Sequence, residues 1–311
     1  MTTFYSCVAA FLLIFGACEA ANANTEKASP IFTAPLTNLD GETTTLADIS
    51  KHKPTYIKLW ASWCSDCLTQ MHHFEDTFQK HGNDINVLGI NVWINDSHDA
   101  ISRVIKKYDL SLPVLLDKAG KLAAAFDLIG TPLHILIDEK GRIVHQGHQV
   151  SPQLDEKISL LATGKLTSKD EITYADLPTA TEKLPAPTGI NVVLFTATFC
   201  DWYLKDSRPS MASNCIAAQK FVNNHSQDMA NISWNVLVSR LWTGPKELAE
   251  YSEKFEISVA RSIDETNHAF LSHKVKTFPT LIIFDGAKEI GRISDFSNPQ
   301  DTAKSFTDIV R

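Results

Sequence analysis

Trp63-Cys64-Ser65-Asp66-Cys67 places two thiols three residues apart, the spacing at which a pair can pass between dithiol and disulfide. The elements around it decide what that pair can do. Residues 56–60, Tyr-Ile-Lys-Leu-Trp, read as a short buried strand rich in aromatic and β-branched side chains. After Cys67, Leu68, Met71, Phe74 and Phe78 recur at helical spacing, with Glu75 as a charged interruption. The pair therefore lies at a strand-to-helix junction, with Cys64 at the helix N-terminus. Unpaired N–H groups and the positive end of the helix dipole favour a thiolate there. The expectation is an exposed, attacking Cys64 and a more buried, resolving Cys67.

Half of a zinc site has the same spacing, but no second C-x-x-C follows. A complementary element comes at residues 130–138, Gly-Thr-Pro-Leu-His-Ile-Leu-Ile-Asp. A proline opening an apolar strand is out of place in a central ladder. It makes sense as a cis-proline loop facing the cysteines, with Thr131 offering backbone hydrogen bonds to a substrate chain. With these features residues 29–147, including an Asp40-Gly41 hairpin turn, resemble the TlpA-like thiol–disulfide oxidoreductases of the thioredoxin superfamily. The resemblance implies catalysis by Cys64 and Cys67, substrate docking at Trp63, Thr131 and Pro132, and no cofactor.

At 311 residues the chain has room for two domains, and a net charge of −7 without basic clusters argues against nucleic-acid binding. Its six cysteines pair by position as Cys7/Cys18, Cys64/Cys67 and Cys200/Cys215. Residues 1–23 read as an export signal: an apolar run over 8–15, too short to span a bilayer, then Ala21-Asn22-Ala23 as a cleavage site. Phe15-Gly16-Ala17-Cys18 also resembles a bacterial lipobox, so Cys18 is either lipidated or discarded with the signal. Export to the periplasm or beyond puts the thiols in an oxidising compartment, where a reductant needs a membrane-embedded electron donor.

From 31 to 48 the pattern reads as a small β-hairpin, and strands over 85–93, 112–117, 133–138 and 143–146 alternate with helices over 99–108, 122–126 and 154–161. Residues 29–164 thus form one α/β domain, a mixed sheet flanked by helices, and 165–188 form a proline-stiffened linker. Then the pattern repeats. Residues 192–200, Val-Val-Leu-Phe-Thr-Ala-Thr-Phe-Cys, parallel 56–64, and 275–286, with Pro279, resemble the cis-proline strand of thioredoxin. Residues 189–311 are therefore read as a second thioredoxin-like domain in tandem.

This second unit lacks C-x-x-C, because Tyr203 stands where the resolving cysteine belongs. Pro132 follows Cys67 by 65 positions and Pro279 follows Cys215 by 64, so Cys215 is expected at a helix start with a loop inserted over 201–214. A Cys200–Cys215 disulfide is either a structural bridge, shielded by Trp202 and Tyr203, or a redox partner for Cys64. Lys58 takes the place of thioredoxin's buried acid, either snorkelling from a strand edge or favouring the Cys64 thiolate. Asp66 disfavours that thiolate, and His134 reads as a core residue. Two rival functions stay open: a non-catalytic adaptor, and a copper metallochaperone using Cys67 and Met71 beside His72 and His73. The leading expectation is an exported enzyme acting on disulfides of exported proteins.

Overall fold

The computed structural model describes residues 30–51, 53–166, 188–229 and 232–311. The expected signal with Cys18, and nearly all of the expected linker, lie outside the described residues. The first half runs α1 (Pro30–Thr33), β1 (Leu36–Asn38), β2 (Thr43–Thr44), α2 (Leu46–Ser50), β3 (Thr55–Trp60), α3 (Ser65–Thr69) and α4 (Met71–His81). It continues with β4 (Asn86–Asn91), α5 (His98–Tyr108), β5 (Val114–Leu116), α6 (Lys121–Ala125), β6 (Leu133–Ile137), β7 (Ile143–Gly147) and α7 (Pro152–Ala162).

The strands form one mixed sheet in the order β2-β1-β5-β4-β3-β6-β7. β3 is parallel to β4 and antiparallel to β6, and every one of its residues is buried. That central position explains its near-continuous apolar sequence, since helices cover both faces. The hairpin β1–β2 turns at Asp40-Gly41, where Gly41 has φ +93°. The expected hairpin ends earlier than residue 48. Thr45 and Asp48 close a reciprocal capping box, and that box starts α2 instead of prolonging the strand.

The second half runs β8 (Ile190–Thr196), α8 (Pro209–Asp228), β9 (Ser233–Ser239), α9 (Pro245–Lys254), β10 (Ala260–Asp264), α10 (His268–Ser272), β11 (Thr280–Asp285), β12 (Lys288–Ile293) and α11 (Pro299–Val310). Its sheet has the order β10-β9-β8-β11-β12, with β8, β9 and β10 parallel and β11 and β12 antiparallel. This repeats β5-β4-β3-β6-β7 strand for strand and direction for direction. One detail recurs with it: Asp117 accepts the Ala123 N–H at 2.8 Å, and Asp264 accepts that of Phe270 at 2.9 Å. Both carboxylates precede their proline by 15 positions, and burial raises the pKa of each, Asp117 to about 6. A single apolar cluster runs through both halves, joining Trp63, Cys64 and Leu128 to Phe199, Leu241 and Phe278.

Candidate active site

Cys64 is the N-cap of α3, and its Sγ accepts the Cys67 backbone N–H at 3.1 Å. A thiolate at this place meets an orphan helix N–H and the dipole's positive end, both of which lower a thiol pKa. Cys64 and Cys67 are joined as a disulfide, with Cα atoms 5.2 Å apart. Asp66, in the first turn of α3, is exposed to solvent.

The expected exposure of Cys64 is not found: both cysteines are 0% exposed. The cause lies in the second half of the chain, which holds both neighbours of Cys64. The Trp63 indole stacks on Phe199 at 5.7 Å and meets Trp242 edge-on at 5.9 Å. The Ser65 N–H donates to the Tyr203 hydroxyl at 2.8 Å. One residue further upstream, Arg208 donates to the Ser62 hydroxyl at 2.8 Å. Sequence reasoning missed Tyr203, Arg208 and Trp242 as parts of this site, because contacts across 138 or more positions leave no local pattern.

Beneath the cysteines lies a polar group inside the sheet. Lys58 is fully buried on β3, donates to the Cys67 carbonyl at 3.0 Å, and sits 5.5 Å from the Phe74 ring centre. Burial brings its pKa down to about 7. The snorkelling role is thereby corrected: β3 is central, so the ammonium has no edge from which to reach water. Its strand partner His134 bonds the Tyr56 hydroxyl at 2.7 Å and the Gln70 side chain at 2.8 Å. Burial first, then the Lys58 charge, keep that imidazole neutral by lowering its pKa to about 2.

Thr131–Pro132 and Phe278–Pro279 are both cis peptide bonds. The Thr131 hydroxyl is buried without a partner, and His148 Nδ1 lies 2.7 Å from the Pro132 carbonyl. Cys200 and Cys215 form a disulfide with Cα atoms 6.2 Å apart, and both are buried. Two expectations around it need correction. Cys215 is not at a helix start, since Pro209 fixes the first residue of α8 and the helix runs through Cys215 to Asp228. Trp202 does not shield the bridge, being 59% exposed, while Tyr203 turns toward Ser65.

Three of the four residues named for copper are otherwise engaged. His72 packs on Tyr108 at 5.2 Å, His73 bonds Asp155 at 2.7 Å, and Cys67 is in the disulfide. Among the described residues no group of three or more His, Cys, Asp or Glu is placed to hold a metal ion.

Residues 23–160 match the family Redoxin. This stretch is a Redoxin domain of the thioredoxin superfamily. Over 124 residues the chain is 28% identical to thiol-disulfide oxidoreductase ResA of Bacillus thuringiensis subsp. konkukian, covering 39% of this chain and 70% of ResA. Over 128 residues it is 29% identical to thioredoxin-like protein YneN of Bacillus subtilis, covering 40% of this chain and 74% of YneN. Among solved structures, the pneumococcal exposed lipoprotein thioredoxin of Streptococcus pneumoniae is 29% identical, matching 41% of this chain and 98% of that one with a TM-score of 0.36. The chemistry of the Redoxin domain is thiol–disulfide redox, and Cys64–Cys67 is the C-x-x-C pair within it. The family match ends at residue 160, short of the second sheet.

Proposed function

We propose that the chain is an exported protein-disulfide oxidoreductase working as a reductase or isomerase. The observation that carries this reading is the Cys64 sulfur at the N-cap of α3, 3.1 Å from the Cys67 N–H, within a Redoxin domain. The Cys64 thiolate attacks one sulfur of a substrate disulfide. The S–S bond breaks, the departing substrate thiolate takes a proton, and a mixed disulfide remains. Cys67, deprotonated, then attacks the Cys64 sulfur, releases the second substrate thiol and closes the Cys64–Cys67 disulfide. The substrate gains two electrons and two protons, which the dithiol loses. Trp63, Thr131 and Pro132 form the docking surface, Thr131 through its backbone.

The substrates are exported proteins carrying disulfides. A membrane-embedded thiol donor returns the two electrons to Cys64–Cys67, because glutathione and thioredoxin pools do not reach an exported site. Export rests on the apolar run over 8–15 and on Ala21-Asn22-Ala23, with Cys18 as the point of lipidation if the signal is of lipoprotein type. The second half is a degenerate thioredoxin-like domain, a reading supported by its repeated strand order. Its Cys200–Cys215 bridge is structural, and its Pro279 loop corresponds to that of Pro132.

Cys67→Ser tests the reading. The variant should accumulate mixed disulfides with substrate proteins through Cys64, seen as adducts that dithiothreitol dissolves. If no adduct forms and the wild type leaves model disulfides intact, the enzymatic reading fails.

A further inference from the structure

The two halves clasp each other through equivalent residues. Asn91 pairs in register with Trp60, four positions before Cys64, and Val238 pairs with Thr196, four positions before Cys200. Asn95 and Trp242 lie four positions past those partners, and both are left-handed, at φ 50° and 51°. Asn95 donates its N–H to the Lys276 carbonyl at 2.8 Å, and Trp242 donates its N–H to the Ile129 carbonyl at 2.7 Å. Each accepting carbonyl lies three positions before its proline. The Asn95 side chain adds two bonds to Phe278, accepting its N–H at 2.7 Å and donating to its carbonyl at 3.3 Å. Each half therefore lays the loop beyond its second parallel strand onto the proline loop of the other.

That is the surface a substrate chain needs. Trp242 fills the space above Gly130, where an added Cβ would lie 2.6 Å from the indole Nε1, and Tyr203 sits on the Ser65 N–H. We propose that the second half is a built-in latch, closed over the Redoxin domain's active face, which must lift before Cys64 can attack a substrate disulfide. The proposal rests on the reading of Cys64 as the attacking thiol.

The seam is built so that it can part. A pocket of about 290 Å³ lies along it, lined by Leu128 from one half and Leu241 and Phe270 from the other, so apolar packing across the seam is incomplete there. Lys118 and Lys121 from one half line that pocket with Lys274 and Lys276 from the other, beside the buried Asp117. Arg240 and Asp127 form an ion pair across the seam that favours closure.

Gly130→Ala is the variant of choice, because the close approach of its methyl group is to the Trp242 indole, at 2.6 and 2.7 Å, while the next neighbour, the His148 ring, lies at an ordinary 3.6 Å. In the full chain reduced at Cys64–Cys67, alkylation of Cys64 by iodoacetamide, mapped by mass spectrometry, should be slow. It should run at least about tenfold faster in Gly130→Ala, and in a Trp242→Ala background Gly130→Ala should add nothing further. Should Gly130→Ala not fold, Asn95→Gly keeps the left-handed backbone, removes only the side-chain bonds to Phe278, and should also accelerate alkylation. Equal rates in wild type and a folded variant, or a wild-type rate matching that of the denatured chain, would overturn the latch. A variant that gains accessibility yet reduces no disulfide leaves the latch standing and sinks the oxidoreductase reading instead.

Discussion

The ammonium of Lys58 lies 3.0 Å from the carbonyl oxygen of Cys67, on a strand residue with no exposed surface. A cation is thus held directly under the resolving cysteine, bonded to backbone rather than to a carboxylate. Burial without a counter-ion is what brings its pKa to about 7 from an ordinary 10.5.

This has a stability consequence with a definite sign. Between pH 7 and 10.5 the unfolded chain holds a proton on Lys58 that the folded chain has released, so stability rises with pH across that window. Lys58→Met removes the linkage. Urea unfolding of the oxidised protein from pH 7 to 10 should give a wild-type slope steeper than that of Lys58→Met by up to ~1.4 kcal/mol per pH unit. Parallel slopes would mean that the lysine keeps its proton when buried.

Glu75 interrupts the apolar face of α4 for a reason the structure supplies. Its carboxylate accepts the N–H groups of Ser111 and Leu112, at 2.9 and 3.3 Å, and the Ser111 hydroxyl, tying down the approach to β5. Burial pushes its pKa up, but hydrogen bonds from Ser111, Gln79 and Leu112 outweigh that and hold it below the ordinary range. Its stabilisation is therefore present above the unfolded carboxyl pKa and lost as pH falls through the lowered one. Glu75→Gln should cost about 1–2 kcal/mol at pH 7 and less as the pH falls below the ordinary carboxyl range, read from chemical denaturation across that range.

The Cys200–Cys215 bridge should behave as a structural link. Cys215 lies well inside α8, away from a helix N-terminus that would stabilise a leaving thiolate, so glutathione buffers that reduce Cys64–Cys67 should leave it intact. Closing a loop of 15 positions, it should contribute ~3 kcal/mol, and the double variant Cys200→Ser/Cys215→Ser should lose that much in urea unfolding. Thiol counting that finds four rather than two free cysteines beyond residue 30 after mild reduction would assign it a redox role instead.

What the sequence revealed and what it hid divide along local and long-range lines. The apolar strand at 56–60, the C-x-x-C and Pro132 lie close enough in sequence to be read as one motif, and the Redoxin match coincides with that reading. The repeat of residues 56–64 at 192–200 was legible because β3 and residues 192–196 of β8 are all buried and so need similar side chains. Cys215 was misplaced on its helix because counting back from Pro279 says nothing about where Pro209 starts α8. Burial of Cys64 was invisible, since it depends on Phe199, Tyr203 and Trp242 arriving from the other half. Glu75 and Lys58 looked like exceptions to apolar patterns, and only their partners explain them.

Thiol counting on the pre-reduced full chain shows whether Cys64–Cys67 passes its electrons to a disulfide. The protein is mixed with an excess of a disulfide-bonded peptide, quenched with acid, and both partners are counted for thiols. One peptide disulfide should be lost for each Cys64–Cys67 disulfide formed, and none with Cys64→Ser. Peptide thiols appearing equally with Cys64→Ser, or a wild type that stays reduced beside an intact peptide, would contradict it.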